Sequence, residues 1–104
     1  TSSGLAGAGG TYDIDQTAAG TINLDVNGAS ANVSIEQTST GTVNIDAAGT
    51  SFTADIDQDN ASTLSLHHDG NSADYVILQT GGAGDTLILT VNGASANVDI
   101  IQRD

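Results

Sequence analysis

Cysteine, proline, methionine and tryptophan are all absent from this 104-residue chain, and Arg103 is its only basic side chain. Without cysteine there is neither disulfide nor thiolate chemistry, so the sequence carries no redox signature. Tyr12, Phe52 and Tyr75 are the only rings, which argues against an interior of bulky side chains and for one long, thin aliphatic core. The missing proline suits a chain rich in ladder hydrogen bonds, because proline removes a donor from any sheet it enters. Thirteen acids against one arginine give a net charge of −12. That balance argues against nucleic acid and anionic membrane surfaces and makes cations the natural counterpart. No apolar run approaches the ~18 residues of a membrane-crossing helix, so no membrane insertion is expected. The opening TSSGLAGAGG has neither an initiator methionine nor a charged leader segment, which fits a mature, secreted product trimmed of its signal peptide.

What is abundant is repetition. The string NGASANVSIEQ at Asn27–Gln37 returns as NGASANVDIIQ at Asn92–Gln102. Gln16, Gln37, Gln58 and Gln79 are spaced 21 residues apart, and Gln102 follows two residues late. Nine positions before each stands a glycine (Gly7, Gly28, Gly49, Gly70, Gly93), and two before each an isoleucine (Ile14, Ile35, Ile56, Ile77, Ile100). A unit this short cannot bury an apolar face alone, so successive copies must stack and share one core. Repeats run near 11–31, 32–52, 53–73 and 74–96, with a final half-coil at 97–104. Residues 1–10 are read as a tail or a degenerate half-repeat, in which Leu5 falls under Val26.

Each unit holds two alternating stretches. The A stretches are Tyr12–Gln16, Val33–Gln37, Ala54–Gln58, Tyr75–Gln79 and Val98–Gln102; the B stretches are Thr21–Val26, Thr42–Ala47, Thr63–His68 and Thr86–Val91. In the A stretches apolar residues alternate with frequent acids, the period-two signature of a half-buried strand. The density of Thr, Asn, Gly and β-branched residues excludes helix. Asn-Gly and Asp-Gly turns tolerate φ > 0, and the extra residues at Gly81–Asp85 place the insertion in a turn, leaving strand register intact. A meander would pair A with B and give no reason for five matching isoleucines. A parallel β-solenoid of about five stacked two-strand coils stacks like on like, about 4.8 Å apart. It predicts an inner ladder of Gln16, Gln37, Gln58, Gln79 and Gln102, whose amides can bond along the stack.

The Gly-x8-Gln spacing, the period near 22 and the Gly/Asn/Ser-rich turns resemble the curlin repeat of bacterial curli fibres, Ser-x5-Gln-x-Gly-x2-Asn-x-Ala-x3-Gln. The likeness covers residues 5–102. The glycine and final glutamine match in all five copies, whereas the first glutamine is replaced by Leu5, Val26, Ala47, His68 and Val91. The resemblance implies a secreted subunit that polymerises with itself into a cross-β, functional-amyloid fibre of a biofilm matrix. Of the two inner glutamine ladders it implies, one is replaced here by mostly apolar side chains.

Catalytic signals are weak, and no catalytic residue or cofactor is expected. His67 and His68 are adjacent on a strand and point to opposite faces, so they cannot readily chelate one metal. GGAGDTLIL at Gly81–Leu89 is similar to the calcium-binding nonapeptide of toxin-type β-rolls. Asp85 comes one residue early, however, and the motif occurs once where such sites need stacked copies. Thr21, Thr42, Thr63 and Thr86 form a column that an ice-binding face could use, but the alternate column Asn23, Asn44, Ser65, Ile88 does not match it. Asp15, Glu36 and Asp57 should stack on an outward face, whose repulsion salt or divalent cations would relieve. Weak cation binding is expected there. The sequence thus points to a self-stacking extracellular fibre subunit, with a monomeric acidic solenoid module (adhesin, calcium-binding or ice-binding) as the alternative.

Overall fold

The computed structural model describes residues 5–6, 10–82 and 84–103. Ten strands follow in order: β1 (Leu5–Ala6), β2 (Gly10–Gln16), β3 (Gly20–Asn27), β4 (Ala31–Gln37), β5 (Gly41–Ala48), β6 (Phe52–Asp59), β7 (Ser62–Asp69), β8 (Ala73–Thr80), β9 (Thr86–Asn92) and β10 (Ala96–Arg103). Even-numbered strands form one five-stranded sheet, the A sheet, in the order β2-β4-β6-β8-β10; odd-numbered strands form the B sheet, β1-β3-β5-β7-β9. All pairings are parallel, and no strand pairs with its neighbour in sequence. The chain is therefore a parallel β-solenoid of about four turns. The fifth coil is partial among the described residues, because β1 contributes only Leu5–Ala6, paired with Val26–Asn27.

Like lies over like throughout. Ile14 pairs with Ile35, Ile35 with Ile56, Ile56 with Ile77 and Ile77 with Ile100. The insertion at Gly81–Asp85 stays in the β8–β9 turn, since Thr63 pairs with Thr86 and Asp69 with Asn92. Inward residues alternate strictly with outward ones in the central strands, so a one-residue slip would expose an entire core row.

The corners explain the glycine column. At Gly49 (φ 149°) and Gly70 (φ 158°) a Cβ would land on the carbonyl oxygen of the glycine one coil below, and the same holds at Gly93 over Gly70. Amide hydrogen bonds continue the ladder round this corner, from Gly28 to Ala48 (3.1 Å), Gly49 to Asp69 (3.1 Å) and Gly70 to Asn92 (2.9 Å). Gly28 shares this column, while Gly7 lies outside the described residues.

Candidate functional site

The interior between the sheets is the chemically distinctive part of the molecule. Aliphatic rows fill its centre, with Ile22, Leu24, Val43, Ile45, Leu64 and Leu66 from the B sheet facing Ile35, Ile56 and Ile77 from the A sheet, all buried. At the corner leading from an A-sheet strand into the next B-sheet strand stand the glutamines. Gln37, Gln58 and Gln79 are fully buried. Each Nε2 donates to the Oε1 of the glutamine one coil below: Gln37 to Gln16 (2.6 Å), Gln58 to Gln37 (2.9 Å), Gln79 to Gln58 (2.9 Å) and Gln102 to Gln79 (2.6 Å). The same amide nitrogens reach the B-sheet strand that follows, Gln58 to the Thr63 carbonyl and Gln79 to the Thr86 carbonyl, both at 3.4 Å. One side chain therefore ties coil to coil and sheet to sheet, and its buried polar atoms are satisfied as burial demands. This crowding also explains Gly20 and Gly41, where a Cβ would strike the Gln16 and Gln37 amides. The sequence reading did not single out that second pair of glycines, although their recurrence at the period is visible.

The opposite corner is built differently. Phe52, His68 and Tyr75 come from three successive strands, β6, β7 and β8, and their ring centroids lie 5.4 to 5.8 Å apart. All three are buried, and neither His68 nitrogen nor the Tyr75 hydroxyl has a hydrogen-bond partner. Burial holds the His68 imidazole below its ordinary pKa; the Gly70 backbone and the Asp69 carboxylate offset this in part without making a hydrogen bond, and nearby His67 adds to it. Burial likewise pushes the Tyr75 hydroxyl well above the usual phenol range. His68 occupies a column otherwise filled by Leu5, Val26, Ala47 and Val91, and its neighbour His67 faces outward. There His67 Nδ1 lies 3.2 Å from Asp46 Oδ1 in an exposed pair. Among the described residues no three His, Asp or Glu side chains are gathered as a metal ion requires.

Outside, the two sheets differ in charge. The outward rows of the A sheet carry Asp13, Asp15, Glu36, Asp55, Asp57, Asp59, Asp74 and Asp99. Asp15, Glu36 and Asp57 are in direct register, as the repeat predicts. Asp57 is raised above the ordinary carboxylate pKa by partial burial first, then by Asp59 and Asp55 on its own strand. The B sheet carries fewer acids, Asp25 and Asp46 in register and Asp69, beside Thr21, Thr42, Thr63 and Thr86 in register and an amide pair in which Asn44 Nδ2 donates to Asn23 Oδ1 at 2.9 Å. Asp85 has a structural partner: its carboxylate accepts from the Ser62 backbone amide at 3.0 Å, fastening the inserted turn to the coil below.

Among the described residues β9 and β10 are the last strands of their sheets. Ile35, Ile56 and Ile77 are at most 1 % exposed, whereas Ile100 in the same column is 40 % exposed and Val98 is 38 %. At the other end Tyr12, Ile14 and Gln16 of β2 are only partly buried. Both ends of the Ile–Gln columns thus face outward along the stack, the one at β10 and the other at β2. No family model, curated protein or solved structure matches the chain.

Proposed function

We propose that this chain is a secreted structural subunit that stacks head-to-tail on copies of itself into an extracellular, curli-like cross-β fibre. The observation that carries this reading is the in-register stacking of like on like, in which the isoleucine and glutamine columns run through all five strands of the A sheet. The residues of β10 repeat those of internal strands in register, and their inward side chains are left exposed where every internal copy is covered. A second copy whose β2 continues the A sheet would set its Tyr12 on Val98, its Ile14 on Ile100 and its Gln16 on Gln102. The isoleucine and glutamine columns then continue unbroken. Head-to-tail addition of this kind does not close on itself and so builds a filament. Natural solenoids that remain monomeric protect such edges with a cap, proline, lysine or a bulge; among the described residues Arg103 is the one cation near this edge, and no helix covers it. The resemblance to the curlin repeat, carried by the glycine and glutamine columns, supports the same reading.

Electron microscopy and sedimentation of the purified protein in salt test it. Fibres whose mass grows with concentration are expected, because screening relieves the acidic rows. Protein that stays monomeric at all concentrations overturns the proposal and favours a solitary acidic module.

A further inference from the structure

The outward rows of the A sheet change character along the stack. At the positions that hold Asp13, Ser34 and Asp55 in the first copies, β8 has Val76; at those of Asp15, Glu36 and Asp57, β8 has Leu78 and β10 has Ile101. Val76 is 48 % exposed and Ile101 is 39 % exposed, and Leu78 lies between them in register with Ile101. An aliphatic patch therefore sits on an otherwise anionic face, bordered by Asp55 and Asp57 on β6 and by Asp99 on β10. End-to-end stacking leaves this face uncovered. Its apolar side chains serve no purpose in the core, and solvent-facing positions of this sheet elsewhere hold acids, small polar residues or, at the end of β10, Arg103.

We infer that this patch docks an extended, cationic segment of another protein in which two aliphatic side chains, two positions apart, are flanked on the same face by lysine or arginine. The chemistry selects that occupant over a second copy of the chain. Two such faces brought together would oppose their carboxylates across a desolvated contact, with only Arg103 on each to compensate, and like charges so placed are repulsive. An anionic membrane surface is disfavoured by the same field. A segment with aliphatic residues two apart matches the spacing of Val76 and Leu78 along β8, since both are extended chains with about 6.6 Å between alternate side chains. Basic residues two positions before and after that pair stay on the same face, over Asp74 and Thr80 of β8 and beside Asp55, Asp57 and Asp99 on the neighbouring strands.

The test uses the full chain at a concentration where sedimentation shows it unassembled, and the peptide Lys-Ser-Leu-Ser-Leu-Ser-Lys, with both residue types on one face, as probe. Binding is expected to weaken at least about tenfold when Val76→Thr, Leu78→Thr and Ile101→Thr are combined, while Ile88→Thr on the B sheet leaves it unchanged. Threonine keeps the strand propensity, and circular dichroism verifies the fold. Should the triple variant misfold, Asp55→Asn with Asp57→Asn is expected to weaken binding and flatten its salt dependence. Equal affinity for the same peptide with threonine in place of both leucines would overturn the proposal in favour of charge attraction alone. Equal loss with Ile88→Thr, or a triple variant that changes self-association but not peptide affinity, would overturn it as well. The fibre reading can fail without touching these results, because it concerns the ends of the stack and not this face.

Discussion

At one corner of each coil a glutamine amide bonds to the glutamine below and, in the middle coils, to the strand across the sheet gap. At the other corner Phe52, His68 and Tyr75 fill the space with rings and leave three buried polar atoms without partners. Both corners bury polar groups at similar depth. They differ in whether the repeat itself supplies the partner. A glutamine carries a donor and an acceptor on one planar group, so identical copies satisfy each other at the strand spacing. A lone histidine in a column of aliphatic residues has no copy above or below, and its nitrogens go unanswered.

The largest effect expected from this contrast is at the glutamine corner. Gln58→Ala removes the acceptor of Gln79 and the donor to Gln37 and leaves a void. Urea unfolding is expected to show a loss of about 3 to 5 kcal/mol. At the aromatic corner the sign reverses: His68→Leu keeps most of the volume and removes two unpartnered nitrogens, for a gain of about 1 to 2 kcal/mol at neutral pH by the same measurement. The pH dependence follows from the direction of the His68 shift. Because its folded pKa lies below the ordinary value near 6.5, the unfolded chain takes up the proton first, and stability falls as pH drops from about 6.5 toward the folded value. Thermal melts of the native chain should show that decline, and His68→Leu should remove it. Asp57 works in the opposite sense. Its folded pKa is raised, so stability is regained as pH falls through that value toward the ordinary carboxylate range. Tyr75→Phe deletes one unpartnered hydroxyl and is expected to stabilise by about 1 kcal/mol. Smallest of all is Asn44→Ala on the outer amide pair, a loss of about 0.5 kcal/mol in the same melts.

Much of the fold was legible because it is written in columns. The fixed intervals among Gln16, Gln37, Gln58 and Gln79 give strand, register and direction together, and the two late residues at Gly81–Asp85 locate the single interruption. Parity alone placed His67 outside and His68 inside. The aromatic cluster was not legible in this way. Phe52, His68 and Tyr75 belong to three different columns, and they meet because inward residues of opposite sheets share one gap, a relation no period expresses. The Asp85–Ser62 contact is hidden for the same reason, since it joins an insertion unique to one coil to the coil below it. The outward aliphatic patch was present as the substitutions Val76, Leu78 and Ile101 within acidic columns. It becomes a surface only when β8 and β10 are seen side by side.

Disulfide trapping between chains tests the continuing stack most directly. Asn97 occupies the outward column of Thr11, Asn32, Thr53 and Asp74, so end-on addition places it beside Thr11 of the next copy at about the 4.8 Å strand spacing, within disulfide reach. Mixed Asn97→Cys and Thr11→Cys chains, allowed to assemble and then oxidised, should give a cross-linked dimer, whereas Asn97→Cys with Thr42→Cys should not. Assemblies that form without the first cross-link, or that form the second equally well, would contradict the account.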